Sequence, residues 1–487
     1  MYLVNLNHKY HYETENLLRL FFPEKIVQSD ALPEGEDGVI TSLDGNTAEV
    51  TVVLGGEKQS LKNEYNGEDI PAYDTEESFF ERKIALMMFE LLSTMTGYTP
   101  PWGILTGVRP AKLMSKLSLS MGEEKAKEYF QNELRVTKEK TELALCVAKK
   151  EAPIIEGASK EKSFSLYVSI PFCPTRCSYC SFISHSNDKA RRLMPEYVDY
   201  LIKEIEETGK IAKNLGLELE SVYYGGGTPT ALTEELLERV TDAIGKSFSL
   251  EGIKEYTIEA GRPDSVTRQK FRTMKSCGCN RISINPQTFN DDVLKEIGRN
   301  HTSAQTLEAM KTAREEGFDF INMDLIAGLP TDTLESYKNT LDTVLSLNPE
   351  NITVHTLALK RSATLVTDKR ETNTGDLAMS MLSHTYKTLT SAGYIPYYMY
   401  RQSKSLGNLE NVGWAKEGYE GLYNVYMMEE CHTILSVGAG AVTKLKNPHG
   451  NEIQRIFNYK YPYEYINDFD EILKRKHRIA EFYEGIK

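Results

Sequence analysis

Between residues 164 and 356 the chain alternates short runs of β-branched and aromatic residues with longer stretches whose apolar positions recur every three or four residues. The short runs predict strands over 164–170, 219–224, 255–259, 281–285, 320–326 and 351–356. The longer stretches predict helices over 195–214, 232–247, 264–275, 290–297 with 303–316, and 333–347. Six strands alternating with helices imply an α/β fold with a parallel sheet covered by helices. Its length suits either a doubly wound sheet or an incomplete (β/α) barrel, and in both, ligands gather at the carboxyl ends of strands.

The flanks follow other patterns. Residues 1–75 read as a small α+β unit, with a helical stretch over 13–22 and then β runs separated by Asp44-Gly45 and Gly55-Gly56. Residues 76–160 carry helical spacing (Phe79, Ile84, Met87, Met88, Leu91, Leu92), broken at Thr99-Pro100-Pro101. The Gly-punctuated segment Trp102-Gly-Ile-Leu-Thr-Gly-Val-Arg-Pro110 reads as a packing joint. After the barrel region, 161–365, the alternation stops, and a Tyr-rich stretch with an apolar run over 434–441 predicts a C-terminal α+β domain over 366–487.

Composition narrows the function classes. A chain of 487 residues with 40% hydrophobic and 26% charged residues is globular and long enough for about three domains of ~150 residues. Its net charge of −13 makes it a poor sequence-independent nucleic-acid binder, so no nucleic-acid partner is expected. No run approaches the ~18 apolar residues that span a bilayer, and the first residues lack a basic start and an apolar signal core, which points to the cytoplasm. Seven cysteines, an odd number in such a chain, argue for thiols used as ligands or left in cores rather than for a disulfide framework.

Three of those cysteines stand in one loop directly after the first strand of the alternating region, Cys173-Pro-Thr-Arg-Cys177-Ser-Tyr-Cys180. Three thiolates from one loop can hold three irons of a [4Fe–4S] cluster and leave the fourth open to an outside ligand. Zinc is the competing reading; it needs a fourth donor, and the nearest are Ser181 and His185. Unliganded core thiols are the third, and such a polar loop gives them little packing reason. The second strand ends in Tyr224-Gly225-Gly226-Gly227-Thr228-Pro229, where a ligand can approach the backbone; it is neither a Walker loop nor a GxGxxG. Cys277-Gly-Cys279 reads as a turn before the fourth strand.

These motifs, with Ile258-Glu259-Ala, Asn285-Pro-Gln287, Arg299 and Asn322-Met-Asp324-Leu-Ile-Ala-Gly-Leu-Pro330, resemble the radical S-adenosylmethionine (SAM) enzymes of the oxygen-independent coproporphyrinogen III dehydrogenase group. The flanking Trp102–Pro110 motif, Glu259-Ala-Gly-Arg-Pro-Asp264 and Tyr398-Met-Tyr-Arg401-Gln402 with Asn408-Leu-Glu-Asn411 look like its HemZ branch. The resemblance implies an incomplete (β/α)6 barrel, a [4Fe–4S] cluster on Cys173, Cys177 and Cys180, and SAM chelating the open iron. It implies that Gly226, Gly227 and Thr228 hold the methionine end of SAM, that Glu259, Gln287, Arg299 and Asp324 line it, and that Tyr167 lies on the cluster side. It singles out no side chain for catalysis itself.

Members of that group carry a further cysteine two positions after the third ligand, where this chain has Phe182; Cys180-Ser181-Phe182 is similar to the haem-trafficking relatives. Three functions are therefore implied: decarboxylation of the propionates of coproporphyrinogen III to vinyl groups, delivery of haem, or another radical reaction on a tetrapyrrole. The first needs an electron donor such as a flavodoxin or ferredoxin. Arg262 and Arg401 are candidates for holding the substrate's carboxylates, with structural ion pairs as their alternative.

Overall fold

The computed structural model describes residues 1–23, 25–70, 74–158, 161–181 and 188–485. They form two compact units, Met1–Cys146 with Arg401–Leu409, and Val147–Tyr400 with Glu410–Lys487. No described helix is long and apolar enough to cross a membrane.

The first unit is built on a five-stranded sheet. Strand β1 (Tyr2–Leu6) runs parallel to β2 (Val27–Gln28) and β3 (Gly38–Asp44), and β4 (Thr47–Leu54) and β5 (Glu57–Glu64) follow antiparallel. Gly55 and Gly56 both take positive φ, the conformation a two-residue hairpin turn requires. Leu3, Val39, Val50 and Val52 pack against Phe79, Ile84, Met88 and Leu92 of the helix Glu76–Thr96, so one core crosses the boundary expected at 75. Thr75 caps that helix by accepting from the Ser78 amide, and Gly97 ends it at φ 70°. The start of the 102–110 segment is packed tightly, as expected of a joint, while 106–108 is exposed. A Cβ on Gly103 would fall 1.9 Å from the Leu134 carbonyl oxygen. Arg401 lies over the Trp102 ring and donates to the carbonyls of Leu105 (2.6 Å) and Gly107 (3.3 Å). Its guanidinium is committed there, which corrects its reading as a substrate-binding residue.

In the second unit β6 (Ser163–Ile170), β7 (Glu218–Gly226), β8 (Glu255–Gly261), β9 (Arg281–Ile284), β10 (Phe320–Ala327) and β11 (Asn351–Thr356) pair in parallel, each with the next. Helices Asp188–Leu215, Glu234–Ser247, Arg268–Ser276, Ser303–Glu315 and Leu334–Leu347 connect them, each where helical spacing was read. Side chains alternate in kind as well as direction. One face carries Leu166, Val168, Val222, Ile258, Ile282, Met323, Leu325 and Val354, all buried. The other carries Tyr167, Tyr223, Glu259, Ser283, Asn322, Asp324, Thr353 and His355, which the register places side by side. Parallel strands buried on both faces are normally apolar on both, so this polar face marks the site.

Five later strands extend the same sheet: β12 (Ile395–Arg401), β13 (Glu410–Ala415), β14 (Thr433–Val437), β15 (Val442–Lys446) and β16 (Ile453–Phe457). β13 lies antiparallel to β11 and β14 parallel to β6, so the flanks of the six parallel strands are covered by them rather than by each other. The result is an incomplete (β/α)6 barrel whose C-terminal α+β region shares its sheet. That region is also anchored through a buried charge cluster. Lys476, in the helix Phe469–Gly485, meets Glu204 at 2.8 Å, and Gly438 N, Asn458 Nδ2 and Tyr465 OH donate to the same carboxylate.

Candidate functional site

The cysteine loop leaves β6 at the carboxyl end of the sheet, and its main chain is pinned from several sides. Ser178 N donates to Ile297 O (2.9 Å), Thr175 Oγ1 to Gly298 O (3.1 Å), and Leu365 N to Ser178 O (2.8 Å). Arg176 donates to Ser362 O (2.9 Å). Cys177 is buried, with Cys173 and Cys180 partly exposed. Phe182 and His185 lie outside the described residues. Cys277 and Cys279 are at the opposite end of the sheet, where each thiol donates to a carbonyl, of Met274 and Arg281, and burial pushes both up. They form the turn that leads into β9.

The glycine run after β7 is pressed against the exit of β6. Gly227 N donates to Ile170 O and Thr228 N to Phe172 O, both at 2.8 Å. A Cβ on Gly227 would stand 2.6 Å from the Phe172 carbonyl, and Gly226 has φ 105°. Close chain approach is thus what these glycines permit. Because the amides of Gly227 and Thr228 are spent, carbonyls and the Thr228 hydroxyl are what this run can offer a ligand. That hydroxyl lies 3.4 Å from Cys173 Sγ.

Five strands, β7 to β11, then present polar groups on the inward face. Tyr223 OH donates to Glu259 Oε1 (2.7 Å). Asn322 Nδ2 donates to Asp324 Oδ1 and to Ser283 Oγ (2.7 Å each), while Thr353 Oγ1 donates to Asn322 Oδ1 (3.0 Å). His355 Nε2 is 3.8 Å from Asp324 Oδ2. Gln287, at φ 69°, bridges its main chain to β10 and leaves its side-chain oxygen buried without a hydrogen-bond partner. Arg299 donates to Asn285 O (2.5 Å) and meets Cys177 and Tyr179, yet its Nε is buried without one. Buried donors and acceptors of this kind call for a ligand. Three thiols, an orphan guanidinium N–H, an orphan amide oxygen and two carboxyls at adjoining strand ends fit a cluster with an amino-acid-bearing nucleoside on it. Among the described residues no three His, Cys, Asp or Glu side chains are grouped to hold a single metal ion; thiols that bind separate irons of a cluster need not converge on one point.

Arg262 is turned away from the inward face. It forms a fork on Asp264 (3.0 and 2.8 Å) and donates to Thr175 Oγ1 (2.7 Å) beneath the cysteine loop. It is therefore an internal ion pair, not a waiting partner for a substrate's carboxylate.

The sequence model of the Radical SAM superfamily matches residues 167–344. The oxygen-independent coproporphyrinogen-III oxidase-like protein HemZ of Bacillus subtilis is 33% identical over 479 residues, covering 97% of this chain and 95% of that one. The chain belongs to the HemZ branch of the radical SAM superfamily. Another relative of this HemZ-type chain is the heme chaperone HemW of Haemophilus influenzae, 30% identical over 62% of this chain and 75% of its own. The Escherichia coli coproporphyrinogen III oxidase HemN, itself described as a radical SAM enzyme, shares the fold, with a TM-score of 0.53 and 24% identity over 66% of this chain and 72% of that one.

The HemZ-type site also contains residues that motif reading passed over. Tyr167 is the edge of an aromatic layer: Tyr223 and Tyr423 stack with ring centroids 4.4 Å apart, and Tyr167 lies 6.3 and 6.1 Å from them. Tyr223 was legible, two residues before Gly225 on the same face. Tyr423 was not, since it enters from the helix Leu422–Glu429, whose first amides donate to Glu255 at the start of β8. His355 is the one histidine on the six strands, and its inward register was open to the same period-two count.

Glu259 is partly accessible but surrounded by protein. Burial pushes its carboxyl up to about 7, the Tyr223 hydrogen bond opposes this, and the Asp324 charge adds to it. A carboxyl whose folded pKa exceeds its unfolded value keeps its proton to higher pH in the folded chain. Ligand-free protein is thus expected to lose stability as pH rises from about 4.5 to 7 and to level off above. Glu259→Gln should remove that part of the decline, as measured by urea unfolding at several pH values. A wild-type and variant difference that does not change with pH would refute the assignment.

Proposed function

We propose that this chain is a radical SAM enzyme that oxidatively decarboxylates the propionates of coproporphyrinogen III to vinyl groups, giving protoporphyrinogen IX without oxygen. The observation that carries the reading is the meeting of the Cys173, Cys177 and Cys180 loop with the orphan polar atoms of Gln287 and Arg299 at the carboxyl ends of β6–β10. The match to a coproporphyrinogen-III oxidase-like protein along nearly the whole chain supports the substrate. The three thiols hold a [4Fe–4S] cluster. When bound, the cluster and SAM would supply a radical that takes a hydrogen atom from the propionate, after which the substrate radical loses CO2 and passes one electron to a one-electron acceptor.

The residues divide the remaining work. Arg299 Nε would hold the carboxylate of SAM, and carbonyls of Gly226 and Gly227 with the Thr228 hydroxyl would receive its amino group. Glu259 and Asp324, held by Tyr223 and Asn322, would accept from ribose hydroxyls. The layer of Tyr167, Tyr223 and Tyr423 closes the amino end of the barrel, so the reacting side chain is held away from water. A reduced flavodoxin or ferredoxin supplies the electron.

The resemblance to HemW and the inward His355, which could serve as an axial ligand, support a second reading, haem binding and delivery. Anaerobic incubation of reconstituted protein with coproporphyrinogen III, SAM and a reductant separates the two. Protoporphyrinogen is the expected product. Stoichiometric haem binding with no product formed would replace the first reading by the second.

A further inference from the structure

We propose that Arg262, balanced by Asp264, is a positioning residue for Cys177 and sets the reduction potential of the cluster that this cysteine binds; the inference rests on the cluster reading above. The guanidinium is only 3% exposed. Two of its nitrogens are taken by the Asp264 fork. The third, Nη1, binds Thr175 Oγ1 at 2.7 Å and lies 3.8 Å from Cys177 Sγ, so a fixed positive charge borders one cluster ligand. The Asp264 fork is the partner that lets this charge be buried, and it leaves Nη1 to face Thr175 and Cys177.

The side chain touches the loop's main chain at one point, Nη1 to Thr175 O at 3.4 Å, while Ser178 N to Ile297 O and Leu365 N to Ser178 O hold the loop without it, and the turn that carries Arg262 has bonds of its own. Ser265 Oγ donates to Arg262 O (2.7 Å) and shares a hydrogen bond with Thr230 Oγ1 (2.7 Å). Lys270 Nζ donates to the carbonyls of Thr230 (2.8 Å) and Ser265 (2.9 Å), which locks the turns after β7 and β8 together. Changes at the guanidinium or at the Asp264 carboxylate should therefore alter charge at Cys177 without releasing the loop.

Reduction adds one electron, and so one negative charge, to the cluster and its thiolates. A nearby cation favours the reduced form and raises the potential, while a carboxylate that offsets the cation lowers it. The two members of one ion pair should thus act with opposite sign. Arg262→Gln is expected to make the midpoint potential more negative, Asp264→Asn to make it less negative, and Arg262→Lys to leave it near the wild-type value. Iron content should equal that of wild type in all three.

The test is a redox titration of the reconstituted full-length protein with dithionite, followed by electron paramagnetic resonance, with iron content and melting temperature measured on each sample. A purely architectural pair predicts shifts in the same direction for both partners, or none, and either result overturns the proposal. Loss of iron from both Arg262 variants with an unchanged melting temperature also overturns it, by leaving only a scaffold role. Failure of the wild-type chain itself to take up a cluster would instead remove the cluster reading, and this inference with it.

Discussion

Cys177→Ala is expected to abolish cluster uptake and SAM cleavage together. The remaining thiols, Cys173 and Cys180, would leave two irons of the four without a protein ligand, and the CxC pair cannot replace the lost one, because Cys277 and Cys279 are at the other end of the sheet. The fold should survive, since the loop is held by the main-chain bonds of Ser178 and by the Thr175 hydroxyl rather than by the sulfur. Iron analysis, visible absorbance and the release of deoxyadenosine measure the outcome, with Cys277→Ala as the variant that should behave as wild type. Full iron and activity in Cys177→Ala would remove the cluster assignment.

Lys476→Met should give the largest loss of stability. Glu204 is fully buried and its ammonium partner nearly so, and the lysine also donates to Ser436 O. Removing the cation leaves a buried carboxylate with only neutral donors, a defect worth roughly 3–5 kcal/mol. Combining it with Glu204→Gln should restore much of that, because a neutral amide can still accept from Gly438 N and the Tyr465 hydroxyl. The urea midpoints of the two single variants and the double variant test this. Equal losses in Lys476→Met and in the double variant would show that the cost lies in packing, not in the stranded charge.

The barrel was legible because its strands obey a local rule. Each apolar run marks the helix-covered face, and the ends of those runs carry the glycines, cysteines and acids that end up together. The sequence left Arg262 open between a substrate contact and an ion pair for a local reason of another kind. Counting by twos from Glu259 would bring Gly261 inward and leave Arg262 as a rim residue free to reach a substrate. The β8–β9 register slips between Glu259 and Gly261, Gly261 takes φ 37°, and Arg262 N donates back to Ala260 O. That kink swings the guanidinium under the cysteine loop. Tyr423 and the Glu204–Lys476 pair were beyond any local rule, as each joins positions more than 150 residues apart. The separation of the C-terminal region at 366 failed to show in the sheet for the same reason. Nothing near β14 in the sequence announces that its partner is β6.

That pairing has a consequence for how the molecule is made. β6 and β14 are separated by about 270 residues, with Phe164 opposite Thr433. A ribosome adding ~5–20 residues per second needs roughly 15–50 s to cover that distance. For that interval the strand that leads directly into the cysteine loop has one bare edge, a template for pairing with any other newborn chain. The earliest barrel strand to be synthesised is thus the last to be closed in, and the thiols reach their final setting only when residues 433–437 have arrived.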